Sequence, residues 1–437
     1  MKKTLIPLIL FVAVAAWIVL RPWQVETEDA GPALSTPPTA APTSDGPAPQ
    51  RRASLPPPTE EFLPTSVLDS SEAIASIIDN DAITHRPLTS GSWSDPATWP
   101  GGNIPKDGAR VRIPAGLEIT LDVIQTAHLK ALYIDGSLLF SGEGDSELTA
   151  DTLVVNPDGR LAAGTAKAPV TGDADILISI LPYHDPNEPE AARYHSARFI
   201  SQGAVSLHGE EKSAVGLLAA TPEIGEQVLT FTDAPLNWQP DDLLTIGGGR
   251  LSRDETETLR IVSVAGNRVT VTDAALAPNE QWQGLETDYG TPRDTMAFAV
   301  NLTRNVAISS EAPSQSESVF QGALLFHGDG VGGASLGNVG IYGLGMREGI
   351  EDGLGTAQTR DAITFQSGSG AEINGMVVVD APDSNIVMDD ASVTVANSAA
   401  FDEDGSAWLT ETGLTNRLVW SGPRTPKTLR TSAVLPE

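Results

Sequence analysis

Gly91-Ser92-Trp93-Ser94-Asp95 is followed by Trp99-Pro100-Gly101-Gly102 and Pro105-Lys106-Asp107-Gly108. Short apolar runs then take over: Val111-Arg112-Ile113, Ile119-Thr120-Leu121, Leu132-Tyr133-Ile134, Leu138-Leu139-Phe140 and Leu153-Val154-Val155. Glycine or Asp-Gly closes run after run. Short aliphatic runs between turn residues read as strands, because the turns leave no room for a helical face to repeat. The same texture continues through Ala204–His208, Val228–Phe231, Leu243–Ile246 and Arg268–Thr272. Everything after about residue 86 is therefore expected to be β.

From about residue 296 a looser pattern emerges, in which an asparagine precedes a strand. It recurs at Asn305, Asn338, Asn374, Asn397 and Asn416, with intervals of 33, 36, 23 and 19 residues. The shorter intervals fit one turn of a parallel β-helix, and the longer ones a turn carrying an insertion. A recurring asparagine at one corner can stack on its neighbours and bond the turn backbone of the next coil.

The chain has 437 residues, 40% of them hydrophobic, which suffices for two or three domains with sizeable cores. The 41 glycines and 32 prolines agree with many tight turns. A net charge of −30 argues against nucleic acid, whose phosphates require Lys and Arg. It also disfavours close engagement of an anionic polysaccharide. With no cysteine, disulfides, zinc-thiolate sites and thiol nucleophiles are excluded. An exported chain without disulfides suggests a bacterial source.

Lys2 and Lys3 precede an apolar run from Leu5 to Leu20, and Trp23 follows at the position of an interfacial anchor. The run is short for a spanning helix and long for a signal-peptide core. Ala13-Val14-Ala15 offers a cleavage site, yet the apolar run continues past it. The favoured expectation is an uncleaved single-pass anchor in the inner membrane, with the bulk of the chain in the periplasm or outside. The alternative is secretion after signal cleavage. Ten prolines between Pro32 and Pro64 make the next stretch an extended linker. Ile74, Ile77 and Ile78 then recur at helical spacing, so a short helix is expected at Ser70–Asn80.

These residues also carry a resemblance. Trp93, Trp99, Gly101, Pro105, Gly108, Leu121-Asp122, Leu132-Tyr133-Ile134-Asp135-Gly136 and Gly159-Arg160-Leu161 resemble the eight-glycine (G8) domain. That domain is known from hyaluronan-degrading and fibrocystin-like vertebrate proteins and from bacterial relatives. Trp238-Gln239-Pro240-Asp241-Asp242-Leu243-Leu244 and Leu302-Thr303-Arg304-Asn305-Val306 extend the likeness beyond the domain. The implied fold class is all-β: a G8-type β module followed by a right-handed parallel β-helix, with an N-terminal membrane anchor. The expected organisation is an anchor or signal over 1–24, a Pro-rich linker over 25–66 and a helical lead-in over 67–86. A G8-like domain over 87–170, a connecting β region over 171–295 and a β-helix over 296–430 follow. The G8-like unit is expected to pack against the later coils or cap them.

Relatives of this kind carry histidines in their β-helix, in patterns such as Pro-Ile-His-Phe-His. The corresponding segments here, Ala362–Gln366 and Gly405–Trp408, contain none. The resemblance therefore implies loss of any histidine-dependent route. The six histidines, His85, His128, His184, His195, His208 and His327, show no metal-ligand spacing. Acidic turns supply the weak catalytic candidates Asp361, Asp402 and Asp404, with Arg360 beside them. Asp402 and Asp404 are also the candidates for Ca²⁺, the one cofactor considered. Thr364 and Gln366 can hydrogen-bond sugar hydroxyls, and Trp408 can stack on a sugar ring. Trp238, Trp282 and Trp420 are weaker platforms of the same kind. The expected function is that of a membrane-anchored extracytoplasmic protein that binds carbohydrate or serves the envelope, without histidine-dependent catalysis. The alternative is a polysaccharide-degrading enzyme, hyaluronidase- or lyase-like, with a rearranged acidic site. The partners expected are a polysaccharide or glycan and the membrane.

Overall fold

The computed structural model describes Ile74, Ile78 and residues 80–183, 197–220, 222, 225–247, 258–272, 298–310, 322–328, 333–345, 361–379, 386–389, 391–401, 407–409 and 419–421. The Leu5–Leu20 run and the Pro-rich linker lie outside the described residues. No helix among the described residues is long and apolar enough to cross a membrane. Of the expected helix at Ser70–Asn80, Ile74 is helical and fully buried.

Successive strands visit three parallel ladders in turn, so the chain winds into a stack of coils with three walls. The first wall is an eight-stranded parallel sheet: Gly91–Ser92, Glu118–Leu121, Ser137–Phe140, Arg160–Ala163, Ala204–His208, Ala334–Gly337, Gly370–Asn374 and Ser392–Ala396. The second wall pairs Ile176–Ile180 with Val306–Ser309, then Val339–Tyr342, Val377–Val379 and Ala399–Phe401. The third pairs Arg198–Ser201 with Ala323–His327, then Ile363–Gln366 and Ile386–Asp389. Ser146–Val155 joins the second and third walls. Its first half pairs with Ile176–Ile180 and its second half with Arg198–Ser201.

Alternation explains the core. In a strand, every second side chain points inward. Val111, Ile113, Ile119, Leu121, Leu132, Ile134, Leu138, Leu153 and Leu161 fill the early coils, and Val306, Ile308, Ile341, Phe365 and Val378 the later ones. Phe326 and Phe365 stack face to face with ring centroids 4.8 Å apart. All these residues form one continuous core. The G8-like segment, expected to pack against the later coils or cap them, supplies the first coils of the stack, and its ladders cross residue 170 without a break.

The Trp and glycine motifs have local roles. Trp93 and Trp99 are buried edge-to-face at 5.0 Å, and Trp99 Nε1 donates to the Trp93 carbonyl. The Asp135 carboxylate takes Arg112 Nε at 2.5 Å and Arg112 Nη2 at 3.0 Å. Gly136 and Gly159 occupy stacked corners between the third and first walls. A Cβ on Gly159 would collide with the Ile134 carbonyl of the coil before it.

The asparagine pattern falls mostly on the opposite corner, between the first and second walls. There a single left-handed residue turns the chain: Asn338 at φ 52°, Gly375 at φ 71° and Asn397 at φ 49°. Asparagine tolerates this region because its short side chain bonds locally. Asn374 stands one position earlier and accepts a hydrogen bond from Asn397 Nδ2 at 2.7 Å. Asn416 lies outside the described residues.

At one such corner the chain leaves the stack. Between His208 and Val306 the described residues form six antiparallel strands: Val215–Leu217, Val228–Thr230, Leu243–Gly247, Thr258–Ala265, Arg268–Val271 and Phe298–Asn301. A bridge between Leu218 and Phe231 joins the two outermost strands and closes the sheet into a small barrel. Leu229, Phe231, Trp238, Leu244, Leu259, Ile261, Val269 and Val271 fill it. Residues read only as a connecting β region thus hold a second core with its own topology.

Candidate functional site

The outer surfaces of the three walls differ. On the second wall, Val377 and Ala399 are fully buried against Ala214, Phe298 and Val300 of the barrel. On the third wall, Ala131, Tyr133, Val154 and Ile200 form an apolar row under Ile74, with Ile78, Ile83 and Leu325 packed alongside. The outer first wall has no such cover among the described residues. Its central row runs through Ser206, Ser335, Glu372 and Thr394, which are consecutive ladder neighbours. Ser206 and Ser335 are half-buried, and Glu372 and Thr394 are exposed. Neighbouring strands lie about 4.8 Å apart, so this row sets polar groups side by side at about that repeat.

One end of the row is built more deeply. His208 Nε2 and Ser335 Oγ share a 3.0 Å hydrogen bond. Burial holds the His208 imidazole below its usual pKa, which favours its neutral form. Gly337 lies against the ring, and any Cβ there would meet His208 Nδ1.

Thr364 and Gln366 lie half-buried on the strand Ile363–Gln366 of the third wall. In register, Thr364 stands between Leu325 and Val387, and Gln366 between His327 and Asp389. The imidazole-free segment therefore has a histidine as its ladder neighbour in the preceding coil, and His327 is almost fully buried. Asp361 lies two residues before this strand, with the buried Ala362 between them. Trp408 lies elsewhere, on the antiparallel strand Ala407–Leu409 that extends the second wall. There it pairs with Ala400 and Trp420. The ladders thus bring Thr364 and Gln366 together and leave Trp408 on another wall. Arg360, Asp402 and Asp404 lie outside the described residues. Among the described residues, no group of three His, Cys, Asp or Glu could hold a metal ion. Trp238 is barrel core, edge-to-face with Phe231 at 5.1 Å, and its Nε1 donates to the Ser213 carbonyl.

The first-wall row is not evident in the sequence. Short polar residues alternate with apolar ones in Ser335-Leu336-Gly337 and in Glu372-Ile373-Asn374, which is the available signal. That Ser206 and Ser335 are neighbours depends on pairing across the whole barrel.

Comparison with known proteins agrees with the motif residues. A family model for the G8 domain matches residues 98–219, and the chain carries a G8 domain there. Human fibrocystin-L is 31% identical over 223 residues, covering 50% of this chain and 5% of that protein. Mouse fibrocystin is 32% identical over 159 residues, covering 36% of this chain and 4% of that protein. Communication mutant protein F of Dictyostelium discoideum is 21% identical over 253 residues, covering 54% of this chain and 21% of that protein. The chain thus spans only a small part of the fibrocystins it matches. Among solved structures, the tailspike gp61 of Pseudomonas phage phi297 aligns at a TM-score of 0.16 and 11% identity. That alignment covers 68% of this chain and 37% of the tailspike.

Proposed function

We propose that this chain is a membrane-anchored extracytoplasmic protein that binds a neutral polysaccharide along the outer surface of its coils. The observation that carries this reading is the open first wall, with its polar row Ser206–Ser335–Glu372–Thr394. Hydroxyl and carboxylate groups at a fixed repeat suit the hydroxyl-rich face of an extended sugar chain. Thr364 and Gln366 add hydroxyl and amide groups around the corner, and Trp408 is a further candidate platform. The frame is read as a right-handed parallel β-helix, rigid enough to hold the row in place. The net charge of −30 and the exposed Glu372 favour an uncharged ligand over nucleic acid or an anionic polysaccharide. The Leu5–Leu20 run would hold the protein in the inner membrane, and the Pro-rich linker would set the coils away from the bilayer.

Affinity electrophoresis against a panel of neutral and acidic polysaccharides tests the reading. A neutral polymer is expected to retard the protein. Glu372→Ala combined with Thr394→Ala should weaken that retardation about tenfold or more, since each loses a hydrogen bond worth about 1 kcal/mol. Both residues are exposed, so folding is expected to survive the change. Retardation unaltered by the double substitution would remove the first wall from the account. Release of reducing ends from any polymer would place the protein among polysaccharide-cleaving enzymes, with Asp361, Asp402, Asp404 and Arg360 as the residues to test.

A further inference from the structure

The two stems of the barrel meet at a buried trio. Lys212 precedes the first barrel strand, Asn301 ends the last, and Asp242 lies between them just before the strand Leu243–Gly247. Their exposures are 6%, 0% and 2% respectively. Lys212 Nζ lies 2.7 Å from Asp242 Oδ1, and Asn301 Nδ2 donates to Asp242 Oδ2 at 2.7 Å. One carboxylate therefore holds an amine and a carboxamide side by side. The Gln239 N–H donates to Oδ2 at 3.0 Å and fixes that carboxylate. The Thr303 N–H donates to Asn301 Oδ1 at 2.9 Å, which polarises the carboxamide carbonyl.

We propose that Lys212 and Asn301 join in an intramolecular isopeptide bond, with Asp242 carrying the protons. The Lys212 ammonium first gives a proton to Asp242. The neutral Nζ then attacks Asn301 Cγ, and the charge that develops on Oδ1 is met by the Thr303 N–H. The C–N bond to Nδ2 breaks as Asp242 returns its proton to the leaving nitrogen. A second proton passes from Nζ, so Nδ2 departs as ammonium and Asp242 is again a carboxylate. One N–C bond forms, one breaks, and no oxidant or other reactant is needed.

The surroundings favour the first step. Burial pushes the Lys212 ammonium below its usual pKa, and Arg304 adds to this. Asp242 and Glu210 oppose it. Arg304 is itself buried, its pKa lowered to about 10, and its Nη1 donates to the backbone carbonyl of Asn301 at 3.1 Å, so it stays charged close to the trio. A lysine in such a setting is a nucleophile. The product would also supply something the chain otherwise lacks. With no cysteine, an exported protein has no disulfide to tie the base of an inserted domain.

Mass spectrometry of the purified full chain tests the proposal. The expected result is a mass lower than the sequence mass by one ammonia. Tryptic digestion should yield a branched peptide that joins Lys212 to Asn301, with no cleavage after Lys212. Lys212→Arg and Asp242→Asn should each restore the full mass. A wild-type chain at sequence mass, with trypsin cutting freely after Lys212, would overturn it. That outcome needs no variant, and it is independent of whether any polysaccharide binds.

Discussion

Asp175 shows how a single residue sets a pH dependence. It precedes the strand Ile176–Ile180, and its backbone N–H donates to Asp145. Burial raises its carboxyl pKa to about 6, the Asp145 charge adds to this, and Lys212 opposes it. Unfolded, the group titrates near 3.8. Between those values the folded protein keeps a proton that the unfolded chain has lost, so this contribution to stability is present below about 4 and disappears as pH rises through 6. Asp175→Asn should therefore stabilise the protein at pH 7.5, by on the order of 2 kcal/mol, and do little at pH 4. Melting temperatures of both forms at the two pH values check this. An equal gap at both would show that ionisation is not the cause. Some residue-scale roles were legible in the sequence. Trp93, Trp99, Asp135 and Gly159 announce themselves by type and spacing. Lys212, Asp242 and Asn301 do not, because nothing local says that residues so far apart share one carboxylate.

The one-residue corner between the first and second walls governs the elements. Asn338 holds φ 52° there, and its Oδ1 accepts the Lys212 N–H at 3.3 Å. A β-branched side chain at positive φ is strained, so Asn338→Val is expected to cost about 2 kcal/mol. Asn338→Gly should fall within about 1 kcal/mol of wild type, because relief at φ offsets the lost hydrogen bond. Chemical denaturation of the two variants decides it, and equal losses would mean that the corner conformation is not what the asparagine supplies. Strands and their inward faces were readable, since alternation in segments such as Leu336 and Ile373 is a local property. The asparagine spacing also pointed to stacked coils. The register was not readable. Its partners lie across insertions of unequal length, and Asn374 shows how a one-residue offset hides within a regular pattern.

For the whole molecule, the barrel is an excursion from a single corner. His208 pairs with Gly337, and Val306 with Val339, so Gly209 and Asn305 both stand at the level of Asn338. Deleting 209–304 and joining His208 to Asn305 would rebuild the one-residue turn of the following coil. The shortened chain is expected to keep its parallel β circular dichroism but to bind a hydrophobic dye, because Val377 and Ala399 lose their cover. Loss of the β signal would instead make the barrel a requirement for the stack. Asn305 already clips the doorway: its Oδ1 accepts the Glu210 N–H at 2.8 Å, and its Nδ2 donates to the Thr171 and Ala174 carbonyls. The clip has a mechanical consequence. A pull transmitted along the chain from one coil to the next crosses the doorway through Asn305 and the ladder bonds beside it. The barrel hangs off that load path, and tension on the coils leaves it slack.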